Sequence, residues 1–484
     1  MADLESSSAS HEDPTDRESS FSPPVFAHTE ALPTAADPAR TAHTRIPIWR
    51  VAAWASWDWG SSAFNAVVTT FVITVWLTSS AFVDNAETLS AARLDQVLAD
   101  HSAWLGWGLS LAGILVAILA PATGRQSDTG GNHRKMLAVW TTLVIASMAA
   151  LWFVEPRESM LWFGIALIAI GNIFFELGSV NYNSLLLSVS TPRTVGRVSG
   201  IGWASGYLGG IVLLTIVLVG FVFPDVGWFG VSSDDGTRYR AVALLCAVWT
   251  LLFSLPTFFL VPEPASVGTR KRSGFFASYA ELVRDIGRLW RNDRNILMFL
   301  IASAVFRDGL AGVFTFGGVL ASVSFGFSDT LVIVFAIVAN VVAGLATAGF
   351  GFLEDRTGAK PIIVGSLIGM VAFASVVFIG GLAGAGSWLF WVFGLLLCIF
   401  VGPAQSASRT FLARLTPAGK EGEVFGLYAT TGRAVSFLSP LAFSVCVTLG
   451  GSQIFGIVGI ALVLLAGLIL LFPVRSAKTL AESA

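Results

Sequence analysis

Apolar residues follow one another in long runs along this chain, and short polar stretches separate the runs. A helix needs about 20 residues to cross the roughly 30 Å hydrocarbon core of a membrane. Runs of this length predict twelve spans, numbered in chain order: 52–80, 103–122, 136–154, 161–187, 198–223, 240–261, 296–325, 329–353, 361–382, 388–412, 424–449 and 452–472. We therefore expect an all-α polytopic membrane protein.

Short motifs between the spans recur at a nearly constant spacing. The turn that begins at Gly124 recurs at Gly351, 227 residues later, and Thr191-Pro192 recurs as Thr416-Pro417. The glycines of spans 5 and 11 follow the same spacing: Gly200, Gly206, Gly426 and Gly432. Duplicated membrane bundles of this kind move solutes by rocking one half against the other.

The repeat divides the chain into two six-helix bundles, residues 49–261 and 295–473. The linker between them, 262–294, is basic and could include an amphipathic helix on the inner leaflet. Residues 1–48 are rich in Ser, Pro and acids and lack an apolar run, so we expect a disordered cytoplasmic tail. Residues 474–484 form a second tail.

Composition and charge agree with a membrane protein and suggest its orientation. The chain is 54% hydrophobic and 12% charged, whereas soluble domains are about one-quarter charged. Most of its 29 Lys and Arg residues fall in segments that share a side with the termini, which predicts that both termini are cytoplasmic. The abundance of Arg, Ala and Gly is typical of bacterial chains, so we expect the cell (plasma) membrane.

Spans 1 and 4 each carry a polar stripe along one helical face. The two stripes comprise Asp58, Ser62, Asn65, Asn172, Glu176 and Asn183. A charge at the bilayer centre costs about 2.5–3.5 kcal/mol even on the lenient insertion scale. Such residues therefore line a wet cavity or pair with one another.

The second half contributes its own polar groups at membrane depth. They are Arg307 and Asp308 in span 7, Gln405, Ser408 and Arg409 in span 10, and Arg433 in span 11. The acids have three open roles: proton carriage, binding of a cationic part of the solute, or static pairing with arginines. As candidates for substrate or proton binding we select Asp58, Ser62, Asn65, Asn172, Glu176, Asn183, Arg307, Asp308, Gln405 and Arg433.

The two repeated turns resemble the signature of the major facilitator superfamily, a glycine, an acid four residues later, and bases around a second glycine. The matching residues are Gly124, Asp128, Arg134, Gly351, Asp355, Arg356, Gly358 and Lys360. The first copy departs from the signature at Thr129, where a base is usual. By this resemblance, Asp128 faces the start of span 11 and Asp355 the start of span 5, and the contacts latch the cytoplasmic side shut. Alternatively, the turns only fix topology.

Longer stretches resemble the vacuolar amino-acid effluxer-like family of this superfamily. They are WDWGSSAF in span 1, NIFFELGSVNYNSLL in span 4, FRDG in span 7 and QSASRTFLARLTPAGKEGEVFGLYATTGRAVSF across spans 10 and 11. The resemblance implies a zwitterionic substrate, whose carboxylate would meet Arg307 or Arg433. Its ammonium would meet Asp58 or Glu176. Trp57 stands where the family commonly has Tyr.

These observations favour a secondary active transporter that moves a small amphiphilic solute, an amino acid, by alternating access with proton coupling. The aromatic content of span 1 leaves export of hydrophobic drugs or lipids as an alternative, and a receptor or scaffold that does not transport is another.

The spans hold no nucleophile–base constellation, no metal-spaced His/Cys set and no phosphate-binding loop. We therefore expect no enzyme, metal or cofactor. The expected partners are the bilayer, a small-molecule substrate and protons, without nucleic acid.

Overall fold

The computed structural model describes residues 46–476, apart from 225, 233–235, 265–286, 288–289, 292, 328 and 418. The predicted disordered tail lies almost entirely outside the described residues. The amphipathic helix expected in the linker and most of the tail 474–484 also lie outside them.

The described residues form twelve helices that are long and apolar enough to cross a membrane. In chain order they are α1 (Ile48–Leu77), α2 (Ala91–Gly130), α3 (His133–Phe153), α4 (Glu158–Ser188), α5 (Val195–Val222), α6 (Thr237–Leu260), α7 (Arg294–Val319), α8 (Asp329–Thr357), α9 (Ala359–Leu382), α10 (Ser387–Leu415), α11 (Glu421–Gly450) and α12 (Gln453–Leu471). Each corresponds to one predicted span. The predicted all-α fold is confirmed.

The first difference from prediction concerns the segment before span 2. Predicted spans 1 and 2 end at residue 80 and begin at residue 103, which predicts a long loop between them, but α2 already begins at Ala91. This first part carries charges such as Arg93 and Asp100, so it lacks the apolarity by which a span is recognised. Its Ala, Leu and Arg residues nevertheless favour a helix. The loop is therefore shorter than predicted, because α2 continues beyond its apolar part.

The second difference concerns α11, predicted as one continuous span. It consists of two helical segments, Glu421–Ala434 and Leu438–Gly450. Pro440 lies in the first turn of the second segment. Proline lacks an N–H and clashes with the carbonyl four residues earlier, here that of Ser436, so an unbroken helix through this point is disfavoured. The break places the start of a new helix about half-way along α11, where Ser439 is buried.

Helices α1–α6 form the first half of the molecule and α7–α12 the second. The most extensive packing between the halves joins α2 with α11 and α5 with α8. One apolar cluster fills part of the first half and includes Phe64 and Ile165. A second runs from Trp54 of the first half into Phe299 and Leu412 of the second. A continuous core therefore joins the two halves.

Candidate solute pathway

The halves meet where α5 and α11 begin, which we call the closed end. Asp128, near the end of α2, accepts hydrogen bonds from the backbone N–H groups of Gly422 (2.7 Å) and Glu423 (2.8 Å) in the first turn of α11. These N–H groups have no partner within their own helix. A negative charge is also favoured at a helix N-terminus. His133 Nε2 lies 3.1 Å from the same carboxylate.

Asp355, near the end of α8, makes the corresponding contact in the other direction. Its Oδ1 accepts hydrogen bonds from the backbone N–H groups of Gly196 (2.9 Å) and Arg197 (3.2 Å), in the first turn of α5. The neighbouring Glu354 is almost fully buried, and its carboxylate lies 3.8 Å from Arg414 Nη1. Each half thus places one acid at the start of a helix of the other half.

The basic residues of the two turns make contacts within their own halves. Arg134 donates to the carbonyl of Val261 (2.9 Å), at the end of α6. Lys360 donates to the carbonyls of Phe472 (3.0 Å) and Val474 (2.6 Å), just after α12. Arg356 is exposed. Gly358, between α8 and α9, has φ +91°, a backbone conformation that glycine adopts without strain. Among the eight residues of the turns, the inter-half contacts belong to Gly124, Asp128, Gly351 and Asp355.

Glycines allow the helices to approach closely at this end. A Cβ atom added at Gly124 would overlap the carbonyl oxygen of Gly422, and one added at Gly351 would lie 3.0 Å from the carbonyl oxygen of Gly196. Gly200 is equally crowded, because its Cβ would lie 2.7 Å from the carbonyl oxygen of Thr347. Backbone therefore meets backbone at both crossings, which leaves no side chain that could move aside.

We expect Gly124→Ala to destabilise the closed form by about 1–3 kcal/mol, the usual cost of overpacking. The measurement is the thermal unfolding temperature of the purified protein in detergent. Gly365→Ala in α9 is the matched control, because no atom lies within 4 Å of the added methyl group. Equal unfolding temperatures for the two variants would contradict the close crossing.

A buried charged cluster joins the halves nearer the middle of the helices. Arg409 of α10 is 5% exposed and lies 3.8 Å from Asp58 Oδ2 of α1. It donates to Ser199 Oγ (3.0 Å), to the Ser199 carbonyl (2.7 Å) and to Asn183 Oδ1 (3.2 Å). Tyr182 donates its hydroxyl hydrogen to Asp58 Oδ2 at 2.8 Å. An arginine of the second half is thus held by three helices of the first.

A second charge pair crosses between the halves. The Arg433 guanidinium of α11 contacts the Glu176 carboxylate of α4 directly. The Glu176 side chain is 23% exposed, about as much as that of Asp58 (22%), but Arg433 is 32% exposed against 5% for Arg409, which makes this pair the more accessible of the two. It is the place where a solute could most readily replace one partner or the other.

Arg307 and Asp308 of α7 are adjacent in sequence but make different contacts. Arg307 donates to the Tyr428 carbonyl (3.1 Å), and its guanidinium lies 3.8 Å from the centre of the Tyr428 ring. The Asp308 carboxylate accepts from the Ser439 N–H (2.6 Å) and so caps the second segment of α11. Asp308 therefore has a structural partner within its own half.

The remaining candidate residues lie around these charges. Gln405 Oε1 is 3.3 Å from the Tyr207 hydroxyl, a contact between α10 and α5. Ser62 donates to the Trp59 carbonyl, whereas Asn65 has an exposed side chain. Asn172 is half-buried on α4. The stripes are thus partly occupied by contacts within α1 and partly open.

Three residues of the buried charged cluster are not among the candidates selected from the sequence. Arg409 was noted as a polar lining residue but was not selected, and Tyr182 and Ser199 were not singled out. An arginine within an apolar span was the available signal for Arg409. Tyr182 stacks between Trp54 and Trp57, with ring centres 4.5 and 4.4 Å apart, and only the folded chain brings these rings to Asp58.

Comparison with known proteins identifies the family. Residues 187–484 match the sequence model of the family described as vacuole effluxer Atg22 like. The chain belongs to this family. It is 26% identical over 428 residues to the uncharacterized MFS-type transporter YxiO of Bacillus subtilis (strain 168). The aligned region covers 86% of this chain and 93% of YxiO.

Fungal relatives match a smaller part. Autophagy-related protein 22-1 of Aspergillus fumigatus is 27% identical over 278 residues, covering 52% of this chain and 43% of that protein. The match to this fungal relative therefore spans less than half of its length.

Solved structures support the same fold. The proton:xylose symporter XylE has a TM-score of 0.68 at 13% identity, covering 90% of this chain and 98% of XylE. The human organic anion transporter MFSD10 has a TM-score of 0.63 at 16% identity, covering 88% and 100%. At these identities the likeness shows the major facilitator fold alone. Because the chain belongs to the Atg22-like family and resembles an MFS-type transporter over most of its length, it is a multi-pass membrane transporter that acts on a small-molecule substrate, and it is not an enzyme.

Proposed function

We propose that this Atg22-like protein is a secondary active transporter that moves an amino acid by alternating access, coupled to protons. One observation carries the proposal: two opposite-charge contacts, Asp58–Arg409 and Glu176–Arg433, join the two halves at membrane depth. Charges in this position are costly unless they pair or bind a ligand. A zwitterion carries both signs, so it can replace either partner without leaving a charge uncompensated.

The proposed cycle assigns different tasks to the two contacts. The accessible Glu176–Arg433 pair separates when the solute ammonium takes the place of Arg433 beside Glu176. The buried contact at Arg409 holds the halves together until Asp58 loses its negative charge to a bound proton. The closed end then opens, and Asp128 and Asp355 release the starts of α11 and α5 as the gating latch.

The proposed location is the plasma membrane, with both termini in the cytoplasm. Basic side chains at the closed end support this orientation, among them Arg134, Lys135, Arg356, Lys360 and Lys420. Such an excess marks the cytoplasmic side. The structure would then be closed toward the cytoplasm.

The drug-export alternative depended on the aromatic residues of α1, and their placement does not favour it. Trp54 is fully buried, and Trp57 is 2% exposed and donates to Thr141 Oγ1 at 2.9 Å. These rings pack within the first half, so they offer little surface to a hydrophobic solute. The scaffold alternative is addressed by measurement of transport.

Uptake into proteoliposomes tests the proposed function. We expect a neutral amino acid from a radiolabelled set of twenty to accumulate when an inwardly or outwardly directed pH gradient is imposed. A protonophore should abolish accumulation but leave counterflow exchange. Absence of flux of every amino acid in a monodisperse preparation, in either gradient direction, would overturn the proposal.

A further inference from the structure

Arg307 lies near the middle of α7, far from both ends of the helix. It is thirteen residues from Arg294, where α7 begins. At 1.5 Å per residue this distance is about 20 Å, which is beyond the reach of an extended arginine side chain. The guanidinium therefore stays at membrane depth.

No carboxylate lies within ion-pair distance of Arg307 among the residues that the structure describes. Two other arginines inside the spans, Arg409 and Arg433, each have an acid on the other half. Asp308 is next in sequence, but its carboxylate is directed to Ser439 at the break in α11. Tyr428 contributes a ring face and a carbonyl, which attract the cation but leave its charge uncompensated.

The position of Arg307 on α7 places it on the side that faces the first half. Phe314, seven residues later, lies on nearly the same helical face. Its ring centre is 6.5 Å from that of Tyr207, on α5 of the first half. Ala311, one turn after Arg307, and Thr315, next to Phe314, are exposed. Beyond Arg307, this side of α7 is therefore not fully covered by packed side chains.

We propose that Arg307 is an anion-binding site and takes the carboxylate of the transported solute. The argument rests on the proposed function, because it assumes that a zwitterion enters between the halves. An unpaired guanidinium in a low-dielectric surrounding gains most from an anion, and its planar donors match the two oxygens of a carboxylate. Glu176 then takes the ammonium, and Arg433, whose side chain is 32% exposed, is released toward solvent, which compensates its charge.

Three matched probes test this site by thermal shift on the purified, full-length protein. They are leucine, 4-methylpentanoate, which lacks the ammonium, and 3-methylbutylamine, which lacks the carboxylate. A ligand that binds the folded state raises its unfolding temperature. We expect leucine and 4-methylpentanoate to bind Arg307→Gln about 10- to 100-fold more weakly than wild type, the usual effect of losing a hydrogen bond to a charged group. The amine should bind both proteins equally.

Further variants keep the result interpretable. Arg307→Lys retains the charge and should retain part of the binding, even if Arg307→Gln folds poorly. Arg240→Gln is the control, because Arg240 contacts the Trp152 carbonyl and ring at the other end of the first half.

Each outcome decides between the two proposals. Equal binding of leucine to wild type and Arg307→Gln would overturn the anion site and leave the transport proposal standing. Binding of 4-methylpentanoate that depends on Arg307, without any binding of leucine or other amino acids, would support the anion site and overturn the amino-acid proposal. Failure of both carboxylate probes to bind wild type would overturn the anion site.

Discussion

Glu176→Gln is expected to lower proton-driven amino-acid uptake about 10- to 100-fold, the usual effect of losing a hydrogen bond between charged groups. Gln has nearly the same shape as Glu but carries no charge, so it offers the solute ammonium and Arg433 only a neutral oxygen acceptor. Both side chains are partly exposed, so we expect a stability loss of about 1 kcal/mol or less. The measurement is the initial rate of uptake into proteoliposomes with an imposed pH gradient.

The control for this variant is Glu155→Gln, which makes the same chemical change at an exposed ion pair. Glu155 lies 2.7 Å from Arg157 between α3 and α4, and the two side chains are 41% and 67% exposed. This variant should transport at the wild-type rate. If Glu176→Gln also does so while remaining folded, the Glu176–Arg433 pair is a static contact between the halves.

Asp128→Asn combined with Asp355→Asn is expected to open the closed end. Each carboxylate accepts two backbone N–H groups at a helix start, and Asn keeps one oxygen acceptor but loses the charge. The favourable interaction of a charge with a helix terminus amounts to about 1 kcal/mol. Each single variant should shift the equilibrium about fivefold, and the double variant about 25-fold if the separate sites act independently.

The opening can be measured as a distance between spin labels. Gln126→Cys on α2 and Leu353→Cys on α8 are exposed positions at the closed end on opposite halves. The native residues Cys246, Cys398 and Cys446 are replaced by Ala beforehand. The double variant should add a population with a longer distance, whereas Asp84→Asn in the exposed loop before α2 should not. An unchanged distribution would limit the repeated turns to a role in topology.

Much of the fold was predictable because it depends on apolarity summed over about 20 residues. The break in α11 was not, since the apolar run continues through it and only Pro440 marks the point. The start of α2 was missed for the converse reason: a helix can extend past its apolar residues, as it does from Ala91.

The site was less predictable than the fold. Helical periodicity placed Asp58 and Glu176 on polar faces, but it carries no information about which arginine would face which acid. The contact between Asp58 and Arg409 joins residues far apart in sequence and requires both halves to be assembled. Asp308 illustrates the same limit, because its partner exists only where α11 is interrupted.

The reciprocal contacts of Asp128 and Asp355 have an evolutionary consequence. A single six-helix polypeptide with one such acid and one such helix start would meet an identical copy through the same contact made twice, as in a two-fold symmetric dimer. The charged residues between the two halves no longer follow this two-fold symmetry. At the 226-residue spacing that relates Gly206 to Gly432, Arg433 corresponds to Tyr207 and Arg409 to Asn183. Fusion of two ancestral copies into one gene product would have allowed the central groups to diverge while the paired gates stayed alike.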